Sequence, residues 1–119
     1  MNKKLILKSA IVVLLLVVLS GLLIWQYESM RQVVYVIPPG VGAGLTRFEA
    51  PAEITLTLGW QDTLVIENQD EVAHSFGPFL IMPHSTFSKR FTHPITYEGE
   101  CTLHPSGRMK LVVKSLGAP

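Results

Sequence analysis

The sequence predicts an all-β domain, a small β-sandwich, behind one N-terminal transmembrane helix, and three observations predict it. The chain has 119 residues, room for a single domain. Its apolar residues, 48% of the total, are unevenly spread, with a dense block inside the first 25 positions. Beyond that block, short runs rich in β-branched and aromatic residues recur between turn signals, and no segment after Tyr27 keeps a 3.6-residue helical period.

From Ser9 to Trp25 there is no charge, and Ile11–Leu19 is wholly aliphatic. A helix over that stretch rises about 26 Å, slightly short of a hydrocarbon core of about 30 Å. Extending it back to Leu5 closes the gap if Lys8 snorkels toward the headgroups. Trp25 and Tyr27 then fall where an interfacial aromatic belt is expected. Lys3, Lys4 and Lys8 flank the N-terminal side, so the positive-inside rule puts Met1 in the cytoplasm and the rest outside. A cleaved signal peptide shares the basic start and apolar middle. Against it, the run is long. The best cleavage candidate, Tyr27-Glu28-Ser29, puts a ring where a small side chain is needed, and no cysteine offers a lipid anchor. A retained anchor over residues 1–27 is therefore expected, then a short polar linker over 28–32 and a domain over 33–119. Either reading exports the domain across the cell membrane to the periplasmic or extracellular side.

Within the domain, Val33-Val34-Tyr35-Val36-Ile37 is a strand-forming run stopped by Pro38-Pro39-Gly40, and Val41–Ala50 reads as a loop. Glu53–Leu58 alternates, with Ile54, Leu56 and Leu58 on one face. Gly59–Asp62 is a turn, Thr63–Glu67 alternates again, and Asn68-Gln69-Asp70-Glu71 turns once more. Further strands are expected at His74–Phe76, Phe79–Ile81, Thr86–Phe91, Ile95–Glu100 and Lys110–Lys114. Short strands at this spacing favour an antiparallel sandwich or barrel over a βαβ arrangement. A net charge of +1, from 10 basic and 9 acidic residues, gives no field for nucleic acid.

The chemistry is concentrated in Cys101-Thr102-Leu103-His104-Pro105-Ser106-Gly107-Arg108-Met109. A thiol, an imidazole three residues later and a thioether five residues after that share one loop between two strands. His74, 27 residues before Cys101, adds a second imidazole. Two histidines and a cysteine in a plane with a weak axial methionine are the ligands of blue-copper electron-transfer sites. The thiolate is a soft donor, imidazole suits both oxidation states of copper, and the thioether binds weakly to each. The expected ligands are thus His74, Cys101, His104 and Met109, holding one copper ion. Zinc fits less well, because methionine is a poor zinc ligand and no second cysteine completes a structural site. A dinuclear copper centre would need a second cysteine on this loop.

Taken singly, these residues have blander readings. A lone cysteine is usually a buried small hydrophobe, and Met109 would serve as core on the last strand. A free thiol in an exported domain, however, invites oxidation unless something occupies it. His84 and His93 each sit beside a proline in a turn and read as solvated loop histidines.

These residues resemble the cupredoxin family, over roughly Val33 to Lys114. The C-x2-H-x4-M loop has the ligand spacing of plastocyanin-like members. The region from Ile54 through Asp62–Asn68 to Asp70 and His74 looks like the family's first-histidine region, and Pro94–Tyr97 looks like the strand entering the copper loop. The resemblance implies a Greek-key sandwich with a type 1 copper at one end. Two positions depart from the pattern. Ser75 stands where many members have asparagine, and Ile95-Thr96 follow Pro94 where a glycine-containing turn is common. The family also implies that His104 reaches the surface as the electron port, within an apolar docking face that Pro78 or Phe79 would line. Thr102 would hydrogen-bond to the loop bearing Ser75.

The expected function is a membrane-tethered electron carrier working with redox partners such as membrane cytochromes or an oxidase. No nucleophile–base pair and no carboxylate pair accompany the ligands, so no enzyme activity is expected. Two alternatives are a protein that delivers or stores copper and an accessory subunit of a respiratory or photosynthetic complex. Cys101 argues against the first, whose ligands would be methionine and histidine without a thiolate.

Overall fold

The computed structural model describes residues 2–117 and divides into two compact units, Met1–Met30 and Arg31–Pro119. The first is a single helix, α1, over Lys3–Met30, with no buried side chain. Asn2 caps it, its side-chain oxygen accepting from the Lys4 amide at 3.0 Å. Ser9 and Ser20 return their hydroxyls to the carbonyls of Leu5 and Leu16, so the polar groups in the apolar stretch are satisfied inside the helix. Its 28 residues span about 42 Å. Length and composition suit a membrane anchor or a signal sequence. The expected linker over 28–32 is not seen. The helix continues through Met30 and the first strand opens at Gln32, because no glycine or proline stands between Gly21 and Pro38.

Among its described residues the second unit contains eight strands: β1 (Gln32–Ile37), β2 (Glu53–Thr57), β3 (Thr63–Asn68), β4 (His74–Phe76), β5 (Phe79–Ile81), β6 (Ser85–Arg90), β7 (Ile95–Glu100) and β8 (Arg108–Lys114). They form one sheet in the order β1-β3-β6, a second in the order β2-β8-β7, and the hairpin β4-β5. The antiparallel expectation needs correction. β1 runs parallel to β3, with Ile37 opposite Asn68, and β2 runs parallel to β8, with Leu56 opposite Val113. The reason is that β2 leaves the first sheet for the second, so β3 returns beside β1 in the same direction instead of folding back as a hairpin.

Alternation decides which side chains meet. Ile54 and Leu56 of β2, Leu64 and Ile66 of β3, and Leu111 and Val113 of β8 are all buried in one cluster, to which Ile37, Ile81 and Phe91 also belong. Residues from both three-stranded sheets fill a single core, which makes the unit a sandwich. The turn between β2 and β3 is pinned by Trp60 N–H donating to the Thr57 carbonyl at 3.1 Å. At that end Arg31, the first residue of the unit, clasps Asp62 through both guanidinium branches, Nε lying 3.1 Å from Oδ1. β1 and β3 start there and run about 17 Å to Ile37 and Asn68, where the candidate site begins.

Candidate metal site

Asn68 ends β3 and organises the turn that follows. Only 1% exposed, its Nδ2 reaches the carbonyls of Val72, Ile81 and Met82 at 2.9–3.2 Å. Its Oδ1 accepts the Asp70 amide at 3.0 Å. Asp70 is buried in turn. One carboxylate oxygen accepts from the amides of Gly40 and Glu71, both at 2.9 Å, and the other accepts from the Gly42 amide at 2.7 Å. His74 Nε2 lies 2.8 Å from that second oxygen. These contacts hold the Asp70 carboxyl well below the usual carboxylate range, the hydrogen bond to His74 being the largest cause and the three amides adding to it.

His74 opens β4 with its side chain 4% exposed. Its Nδ1 faces Thr102 Oγ1 at 3.3 Å. The Thr102 oxygen also accepts the Ser75 amide at 3.1 Å, and the Thr102 amide donates back to the Ser75 carbonyl at 3.1 Å. The expected link between Thr102 and the Ser75 segment is therefore present. An isolated bridge between Phe76 and Cys101 extends it.

Cys101 follows β7 and is 2% exposed. Burial pushes its thiol pKa up, and the amides of Leu103 and His104, directed at the sulfur, oppose that rise. Its own amide bonds the Gly107 carbonyl at 2.9 Å, and the Gly107 amide bonds the His104 carbonyl at 2.9 Å, so the loop is closed on itself. The Leu103 carbonyl accepts the Ala50 amide at 3.0 Å, which ties the loop to the chain ahead of β2.

Met109 is buried on β8 at 4% exposure. Its sulfur packs on Gly77, and a Cβ placed on that glycine would lie 2.8 Å from Sδ. Gly77 has φ +58° and donates its amide to the Glu100 carbonyl at 2.7 Å, so β4, β7 and β8 converge below Cys101.

His104 is half-buried, and its Nδ1 lies 2.6 Å from Ser106 Oγ and accepts the Ser106 amide at 3.1 Å. The structure thus brings the His74 strand, the Cys101 loop and Met109 together while His104 rests on its own loop. Among the described residues, no three histidine, cysteine, aspartate or glutamate side chains are gathered closely enough to hold a metal ion. The donor types nevertheless fit copper, with a buried thiol carrying two amides, a buried imidazole and a buried thioether on adjoining elements.

Elsewhere, His84 Nε2 faces Glu71 at 3.0 Å and His93 Nδ1 faces Thr92 Oγ1 at 2.8 Å, two turn histidines held by local partners. Phe79 is half-buried, tilted against Phe87 at 4.7 Å and edge-on to Tyr97 at 5.5 Å. Sequence reasoning missed the roles of Asp70 and Asn68. The available signal was two short polar residues in a turn, one of them four positions before His74.

No family model and no curated protein matches the chain. Among solved structures, the chain is similar to a purple cupredoxin from Nitrosopumilus maritimus, at 21% identity and a TM-score of 0.43, over 68% of this chain and 98% of that one. It is also similar to a mutant of amicyanin in its reduced Cu(I) form at pH 4, at 22% identity and a TM-score of 0.44, over 70% of this chain and 82% of that one. A second amicyanin mutant in the reduced state is 24% identical, with a TM-score of 0.43 over the same shares.

Proposed function

We propose that the chain is a type 1 copper electron-transfer protein, tethered by α1 to the outer face of the cytoplasmic membrane. The observation that carries the reading is Cys101: a thiol 2% exposed, with two peptide amides on its sulfur, on a loop hydrogen-bonded to the strand of a buried histidine. A bound copper ion would deprotonate that buried thiol, and the two amides would moderate the donation of the resulting thiolate. His74, Cys101, His104 and Met109 would hold one copper ion, which supplies a one-electron couple when bound. His104 would exchange Ser106 for the ion and, as the most exposed donor, offer the electron a path to a partner.

The chain enters the β unit at Arg31, beside the start of β1, and the site lies past the far end of that strand. The His104 loop would be the surface that meets a redox partner such as a membrane cytochrome or an oxidase.

The test is to load the full chain in detergent with copper and record its visible spectrum and potential. An intense thiolate-to-copper charge-transfer band is expected, absent from Cys101→Ser and retained with an altered potential in Met109→Leu. A colourless adduct, or copper binding undiminished in Cys101→Ser, would sink the reading.

A further inference from the structure

We infer that Asp70 is a positioning residue for the metal site: its carboxylate fixes the tautomer of His74, so that Nε2 carries the proton and Nδ1 presents the lone pair. The inference deepens the copper reading and rests on it for the identity of the metal. Its physical basis lies in which groups around Asp70 are able to change role.

Three of the four donors on Asp70 are the peptide amides of Gly40, Gly42 and Glu71. A peptide N–H can only donate, so the carboxylate is held as an acceptor on both oxygens. The fourth partner is His74 Nε2, at 2.8 Å, with both side chains nearly sealed from water at 3–4% exposure. An unprotonated Nε2 would set a lone pair against a carboxylate oxygen in a buried site, with no solvent to relieve the repulsion. Nε2 therefore donates, and in the neutral ring Nδ1 is left bare.

The opposite side of the ring agrees. Thr102 Oγ1 already accepts the Ser75 amide, so its hydroxyl proton is free to turn toward His74 Nδ1. At 3.3 Å that contact is long for an O–H donor, and a ligand that a metal must capture is best held by a bond easily given up. A metal-ligating histidine commonly donates its second ring N–H to a carboxylate, which sets both ring orientation and basicity. Asp70 does this while anchoring Gly40 and Gly42, so the turn after β1 and the His74 side chain share one carboxylate.

The tautomer can be read directly in the metal-free, uniformly 15N-labelled full chain in detergent, from long-range ring couplings of His74 assigned by their loss in His74→Gln. The expected result is a proton on Nε2 in the wild type and a mixed or reversed tautomer in Asp70→Asn. Cu(I) affinity, measured by competition with a colorimetric chelator, should fall roughly 10- to 100-fold in Asp70→Asn. A purely structural role would lower the unfolding midpoint of Asp70→Asn and leave tautomer and affinity unchanged. A proton on Nδ1 in the wild type overturns the inference without need of any variant. So does an Asp70→Asn chain that keeps the wild-type tautomer and affinity. An Nε2 proton in a chain that fails to bind Cu(I) supports the action of Asp70 on His74 and removes the copper reading instead.

Discussion

Replacing Gly77 by alanine tests how tightly the Met109 thioether is seated. Two costs separate cleanly. Gly77 has φ +58°, and a side chain in the left-handed region costs about 1–2 kcal/mol. The new methyl would also lie 2.8 Å from Met109 Sδ, against an ordinary contact of about 3.5–4.0 Å, so the sulfur must retreat by about 1 Å. Overpacking of that kind costs about 1–3 kcal/mol. Gly44 is the natural control, since it has φ +74° and no atom within 4 Å of its built Cβ, so alanine there meets only the backbone strain. In urea unfolding of the metal-free chain, Gly77→Ala should lose about 1–3 kcal/mol more than Gly44→Ala. The excess should vanish in a Met109→Ala background, where the obstructing sulfur is gone. Equal losses for the two glycines, or an excess that persists without Met109, would refute the contact as the cause.

Asn68→Ala should destabilise the domain by about 3 kcal/mol, because three carbonyls and the Asp70 amide lose a buried partner. The urea midpoint measures the loss, and faster hydrogen exchange at the Asp70 amide locates it. Acid should unfold the chain through Asp62, whose pKa is lowered chiefly by its hydrogen bond from Arg31. A carboxyl lowered in the folded state contributes stability above the ordinary carboxylate range and loses it as pH falls through that range toward the folded value. Arg31→Gln should flatten that acid limb when unfolding is followed from neutral pH to about pH 3, with the part contributed by Asp70 remaining.

Much of this molecule is legible in its residues. All eight strands lie within a few positions of where alternation and turn residues put them, and His74–Phe76, Phe79–Ile81 and Ile95–Glu100 coincide with expectation. Strand identity is local, set by side chains that alternate between core and solvent and by the glycines and prolines that stop them. The boundary after α1 was misjudged for a local reason too: Glu28-Ser29-Met30 is polar enough to suggest a linker, yet nothing in it breaks a helix.

Pairing is different. Alternation in Thr63–Asn68 is the same whether β3 runs with β1 or against it, so the parallel pairs could be decided only by the path of β2 across the core. The structural roles of Asp70 and Asn68 are hidden in the sequence for a related reason. In sequence they are ordinary turn residues, and burial alone turns one into the acceptor of four donors and the other into the tie between β3 and β5.

The feature the sequence determined by itself is the inventory of donors, a lone thiol with an imidazole and a thioether at fixed spacing on one loop and a second imidazole upstream. Ligand type is a property of the residue and spacing a property of the chain. Tertiary structure decided what surrounds each donor: amides on the Cys101 sulfur, Asp70 behind His74, Gly77 against Met109, and Ser106 on His104. Only Gly77 comes from a distant segment; the amides, Asp70 and Ser106 lie two to four residues from the donors they touch, and it is the folding of each turn and loop that brings them within hydrogen-bond distance.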